Sequence, residues 1–119
     1  MSEMEVEFWQ YLDRLAVGSR KVVDRPKGSP HPRFPEQVYP VDYGYLEETT
    51  STDGGGVDFW IGSQEVERVT GILCTVDLLK RDGELKILFG CNDEDVDLIL
   101  NFVNSHSMRA IYIPRHAGG

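Results

Sequence analysis

Positive charge is scarce in this chain: 12 Lys and Arg stand against 20 Asp and Glu, a formal net charge of −8 over 119 residues. A field of that sign repels polyanions unless cations gather locally or metal ions intervene, so nucleic acid is not an expected partner. Long apolar runs are missing as well. No segment approaches the ~20 apolar residues that cross a bilayer. The opening residues, MSEMEVEF, are acidic where a secretory leader is basic and then apolar, so the expectation is a cytoplasmic protein with no membrane partner. Cysteine is limited to Cys74 and Cys91, which lie in apolar strand-like runs without the paired spacing of a zinc or redox motif; both read as buried thiols. Repeats, linkers and low-complexity tracts are also lacking, and a chain of this length closes one core, so residues 1–119 form a single domain.

What is present begins with a helix. Ser2 and Glu5 fit a capping box, and Met4, Phe8, Leu12 and Leu15 repeat at helical spacing until Gly18, which predicts an amphipathic helix with those residues as its apolar stripe. KVVD, Lys21 to Asp24, is a short strand pattern. PKGSPHPRFPEQ then supplies four prolines within ten residues and cannot be a regular element. From Val38 the pattern turns to strands: VYPVDYGYL, VDFWIG, VTGILCTVDLL and LKILFGC, separated by glycines 54 to 56 and by the hairpin signal Arg81-Asp82-Gly83-Glu84. Asn92 caps a second helix with Val96, Ile99, Leu100 and Val103 on one face and Asp93, Glu94 and Asp95 at its positive end. AIYIP reads as a last strand and the closing HAGG as a frayed tail. A strand-rich middle with a helix at each end is a mainly β, α+β pattern, either a small twisted antiparallel sheet or a partly open barrel with helices packed on it.

Chemistry concentrates between Tyr39 and Lys86. Asp53 and Asp58 flank a glycine-rich bend and could converge on one cation, although carboxylates in such a turn also mark an ordinary solvated hairpin. Asp82, close to Lys80, Arg81 and Lys86, adds a third hard oxygen ligand beside phosphate-pairing cations, a mixture that suits a magnesium phosphate. Tyr39 and Tyr43 are four apart, with Pro40 at a place no central strand could use, so the run is irregular or at an edge. Their phenols either donate hydrogen bonds into a cleft or are half-buried sheet aromatics. His31 and His116 read as surface residues, Asp13 and Arg14 as solvated positions, and Trp9 and Trp60 as core or interface anchors.

YPVDYGYL, followed by a DG-containing loop that closes on VD, resembles the core signature of the soluble family I inorganic pyrophosphatases. VVDRPKGSPHPRF is similar to that family's entry strand and loop, and VDLLKRDGELKIL to its late metal-binding segment, so the likeness spans roughly Val22 to Phe89. The resemblance implies a small five-stranded, OB-like antiparallel barrel with flanking helices and a cleft for several Mg²⁺ ions, Mn²⁺ serving also. It implies hydrolysis of pyrophosphate, or of a related small phosphoanhydride, to phosphate. Asp53, Asp58, Asp82 and Glu84 would then hold metal, with Asp24 in the place of an early glutamate. Arg33, Tyr39, Tyr43 and Lys86 would bind substrate, and Asp53, Asp58 and Tyr43 would serve catalysis.

Three departures accompany the likeness. Gly55 stands where the family has the middle aspartate of its central loop, a residue that helps deprotonate water, and Asp42 and Glu84 are the carboxylates at hand to cover for it. The hairpin expected after Arg33 is missing, together with a phosphate-binding arginine. His106-Ser107 replaces a Tyr-Lys pair, leaving His106 as a phosphate ligand. These departures support a second reading, a non-catalytic relative that binds magnesium phosphate or a nucleotide as a sensor or subunit. A third, an oligonucleotide binder, conflicts with the charge. A barrel with an open edge strand also has reason to self-associate, so a homo-oligomer is expected.

Overall fold

In the computed structural model, which describes residues 2–65 and 68–116, helix α1 (Glu3–Val17) starts where the Ser2 hydroxyl accepts the Glu5 amide at 3.2 Å and ends at Gly18. Its buried face is Trp9, Leu12 and Ala16, while Met4, Phe8 and Leu15 are exposed. The expected stripe is therefore correct only at Leu12. The roll of the helix is fixed by a forked ion pair in which Arg115 reaches Asp13 at 2.8 and 2.9 Å while its guanidinium lies over the Trp9 ring. Asp13 is thus a packing contact and not a merely solvated position.

Six strands follow the pattern of the sequence: β1 (Lys21–Arg25), β2 (Asp42–Leu46), β3 (Asp58–Ile61), β4 (Val69–Asp77), β5 (Asp82–Phe89) and, after helix α2 (Asp93–Val103), β6 (Met108–Pro114). The Val38 run is a strand only from Asp42 onward, and Val38 itself makes an isolated bridge to Pro30 across the proline loop. The β4–β5 turn precedes the Asp-Gly pair. Arg81, at φ 58°, takes the left-handed position and β5 begins at Asp82, so Asp82 and Glu84 are strand residues.

The sheet order is β1-β2-β3-β5-β4-β6, with every pairing antiparallel except β3 to β5, which is parallel. This corrects the expected five-stranded antiparallel OB-like barrel. A barrel closes by pairing its first and last strands, whereas β1 and β6 lie at opposite edges of an open, mixed sheet. The long β4–β5 hairpin places β5 against β3 and carries β4 outward to meet β6.

Strand alternation divides the core in two. On one face α1 covers Leu46, Phe59, Ile72, Ile87 and Phe89. On the other α2, capped by Asn92 and Asp95 as a reciprocal box, covers Trp60, Leu73, Leu88 and Cys91 with Val96, Ile99 and Val103. Cys91 is buried, and burial together with nearby Asp95 pushes its thiol up to about 12, but Cys74 is only half-buried. No helix among the described residues is long and apolar enough to cross a membrane. Residues 117–119 of the tail lie outside the described residues.

Candidate functional site

The α2 face carries the chemistry because alternation along β5 turns Asp82, Glu84 and Lys86 to that side, opposite Asp77, Thr75 and Leu73 of β4. Tyr43 of β2 pairs with Trp60 of β3, and Tyr45 with Asp58, so these residues share the same face. The glycine between the tyrosines is required by strand spacing: a Cβ at Gly44 would lie 1.9 Å from the Val22 carbonyl oxygen of β1. Asp42 points to the opposite side from Tyr43 and accepts the Lys27 amide at 2.8 Å. It cannot cover for the carboxylate missing at position 55.

Lys86 is the hub. Its buried ammonium donates to the Tyr43 hydroxyl at 2.7 Å and pairs with Asp58 at 3.1 Å and Glu84 at 3.4 Å. Burial, the Asp58 charge and a hydrogen bond donated to Asp58 hold the Tyr43 phenol well above its ordinary pKa, so it stays a donor across the physiological range. The Glu84 side chain is only 7% exposed. One of its oxygens meets Lys86, while the other, Oε1, is buried without a hydrogen-bond partner.

On the far side of Glu84, carboxylate oxygens of Asp53, Asp82 and Glu84 all lie within 4.8 Å of one another. Burial, reinforced by Asp53, Asp58 and Asp82 and opposed by Lys86, raises the Glu84 pKa. Asp53 is held low by the Gly55 amide and the Ser51 hydroxyl, both on its Oδ1 at 2.9 Å. An octahedral Mg²⁺ with oxygens at about 2.1 Å spaces its donors by about 3–4 Å, so this hard-oxygen trio fits such an ion after a small contraction. Asp58 is not one of the three; it faces Lys86 instead.

Beyond Lys86 opens a cavity of about 540 Å³ lined by Asp24, Arg33, Tyr39, Tyr43, Asp58 and Lys86 of the expected residues. Asp53, Asp82 and Glu84 are not in its wall, so the site has two compartments joined at Lys86 and Asp58. Asp24 is exposed and lies apart from the acidic trio. His106 lines the cavity mouth. Two wall residues, Arg25 and His31, were not assigned to the site from the sequence. Arg25, hydrogen-bonded to the Tyr39 side chain, shares the cavity with its neighbour Asp24 because β1 shifts register between Val23 and Arg25, a bulge that sequence alternation does not reveal. Lys80, one of the cations expected beside Asp82, lines the cavity from the β4–β5 turn. His31 is no surface residue: its ring is half-buried and stacked near Tyr39, and its Nδ1 accepts the Arg33 and Phe34 amides at 3.0 and 3.1 Å. His-Pro-Arg-Phe in a proline loop was the available signal, since a histidine with amides two and three residues on can close a turn through its own ring.

Trp60, whose side chain is core as expected, leaves its Nε1 without a partner, as do Thr75 Oγ1 and Glu84 Oε1. All three atoms belong to the α2 face. Buried polar atoms are seldom left unpaired, and where they are, a bound water, ion or ligand is a usual reason.

No family model and no curated protein matches the chain in sequence. Solved structures do match in shape. An inorganic pyrophosphatase from Neisseria gonorrhoeae is 16% identical, with a TM-score of 0.64 over 79% of this chain and 80% of that one. One from Thermus thermophilus is 19% identical, with a TM-score of 0.62 over 80% and 81%. One from Helicobacter pylori is 16% identical, with a TM-score of 0.58 over 79% and 81%. By these matches the chain has the fold of the inorganic pyrophosphatases.

Proposed function

We propose that this chain hydrolyses inorganic pyrophosphate, or a closely related small phosphoanhydride, in a reaction that depends on a divalent cation. The observation that carries the reading is the junction at Lys86, where a three-carboxylate cluster on one side meets a cavity lined with cations and phenols on the other. Asp53, Asp82 and Glu84 would hold Mg²⁺ or Mn²⁺, which when bound would neutralise phosphate charge and lower the pKa of water.

This chain's own residues do the rest. Lys86, Arg33 and Arg25 attract the phosphates, Tyr39 donates a hydrogen bond that fixes their orientation, and Tyr43 would turn its single proton to phosphate only by releasing Asp58. During hydrolysis the water oxygen forms a new bond to one phosphorus, the bridging P–O bond breaks, and two phosphates leave. The proton lost by the water passes to a carboxylate, and Asp58, between Lys86 and Tyr43, is assigned that role. Asp24 stands further out, where it would steer a hydrated cation.

A second reading, binding without turnover, is favoured by one observation. Position 55 has no carboxylate, and Asp58 is already engaged by Lys86. Phosphate release from pyrophosphate with Mg²⁺ or Mn²⁺ decides between them. The enzyme reading expects metal-dependent release that falls about a hundredfold or more in Asp58→Asn. Release at the uncatalysed rate, or equal release in the variant, removes it. Heat of binding without release would then establish the second reading.

A further inference from the structure

The cavity is larger and more aromatic than a bare pyrophosphate needs. Pockets of ~300–1,000 Å³ hold drug-sized organic ligands, and this one measures about 540 Å³. Its outer wall is a series of rings. His106 and Phe34 lie parallel at 3.5 Å and 4°, Phe34 approaches His31 at 5.3 Å, and His31 lies parallel to Tyr39 at 6.1 Å and 8°. Phe102 closes the series against Tyr39 at 4.7 Å. All five rings line the cavity that also receives Arg25, Arg33, Lys80 and Lys86. In a chain of net charge −8, this wall gathers four cations against Asp24, Asp58 and Asp77.

The rings rest on built contacts. His106 is exposed at the mouth and takes a left-handed backbone, φ 53°, while its carbonyl accepts Arg109 Nη1 at 3.2 Å. Phe34 is held from behind, since its amide donates to His31 Nδ1 at 3.1 Å. The stack therefore presents exposed His106 at the rim, with half-buried Arg25 and buried Lys86 lining the same cavity. A flat ring on an anionic tail matches that order of surfaces. Planar bases stack on aromatic faces regardless of base identity, and arginines and lysines bind the phosphates that follow.

We infer that the cavity takes a nucleotide phosphoanhydride, its base stacked on the His106–Phe34 pair and its di- or triphosphate directed to Arg25, Arg33 and Lys86. The inference rests on the phosphate-site reading above and adds the organic half of the ligand.

Calorimetry in Mg²⁺ with three probes tests it: pyrophosphate, adenosine diphosphate, and an alkyl diphosphate such as isopentenyl diphosphate, which has the same anionic tail without a base. The expected result is about tenfold tighter binding of adenosine diphosphate than of the alkyl diphosphate. That ratio should fall toward one in Phe34→Ala and in Phe34→Leu, the latter keeping the apolar bulk that alanine removes from the loop. Equal affinity for the two organic diphosphates, with pyrophosphate still bound, overturns the inference and leaves the phosphate site standing. An unchanged ratio in a folded Phe34 variant overturns the placement of the base. No heat with any of the three probes overturns the inference and the phosphate-site reading together.

Discussion

The two faces of the sheet are built from the same strands and behave as opposites. Under α1 the core is apolar, and aromatic and aliphatic side chains such as Phe59, Ile72, Ile87 and Phe89 meet Trp9 and Leu12. The α2 side holds the buried polar residues Thr75, Asp77 and Lys86 on the strands and Asp95 on the helix, whereas the α1 side has one buried ionic side chain among those described above, Arg115, paired with Asp13. The α2 side also holds the three orphaned polar atoms. The difference follows from coverage. α1 lies across its face, whereas α2 covers only the end of the other face around Leu73, Leu88 and Cys91, so the remainder of that face is free for ionic chemistry. Stability and function are therefore assigned to different sides of one sheet.

Substitutions should separate these assignments, and the largest effect belongs to the dry face. Trp9 is 4% exposed, and Trp9→Ala should cost about 4 kcal/mol of folding stability in urea titration. At low urea, where the variant remains folded, its Mg²⁺ affinity should equal that of the unaltered chain. A loss of metal binding in the folded variant would show that the faces are not independent.

Lys86→Met tests the polar face. The methionine keeps much of the side-chain volume but leaves buried Glu84 and half-buried Asp58 without their cation, and removing one partner of a buried ionic network costs roughly 3 kcal/mol. Pyrophosphate binding should be lost together with that stability. Should stability stay unchanged, the ammonium would not be holding the carboxylates together.

Gly55→Asp sharpens the comparison by adding a carboxylate to the wet side alone. The backbone at Gly55 accepts a side chain, but the new Cβ would lie 3.2 Å from Asp53 Oδ1, so the metal-free protein should become slightly less stable through repulsion. Mg²⁺ should reverse the sign of that effect. Under the hydrolase reading, phosphate release should rise about a hundredfold; if it stays level, the missing carboxylate does not limit the rate.

How much of this was legible in the sequence varied with the range of the interaction. The α2 boundary was readable because Asn92, Asp95 and the Val96, Ile99, Val103 face are all local. The acidic positions were readable because Tyr-x-x-x-Tyr-Gly and the glycine loop form a compact motif, and Asp53 and Asp82 do meet, with Glu84, in space. Sheet order was not readable, since the parallel β3–β5 contact joins Phe59 to Ile87 through long-range closure. The buried face of α1 was ambiguous because Met4, Phe8 and Leu15 repeat as well as Trp9, Leu12 and Ala16 do. Arg115, 102 positions from Asp13, pairs with it across the observed face, a partner that no local period contains. Arg25 was hidden by a bulge, and Asp58 by a cation that draws it off the carboxylate cluster.

The smallest effect concerns His31, on the wall of the wet side. Burial lowers its pKa from the ordinary 6.5, assisted by Arg25, His106 and Lys80 and opposed by Glu36. The neutral ring accepts two amides at Nδ1, which protonation would forbid. Because the folded pKa lies below the unfolded one, the contribution is complete above about pH 6.5 and declines as pH falls below that toward the folded value, where the unfolded chain binds the extra proton. His31→Asn offers a carbonyl oxygen to the same amides without titrating. The difference in stability between the unaltered chain and this variant should therefore shrink, or turn against histidine, as pH is lowered from 7 toward 5. Trp9 packs on the other face of the sheet, so pairing the substitution with Trp9→Ala should leave the pH dependence of the difference intact. A difference curve that is flat in pH would mean that the His31 ring does not hold the loop through its unprotonated nitrogen, and that the aromatic wall is fixed by stacking alone.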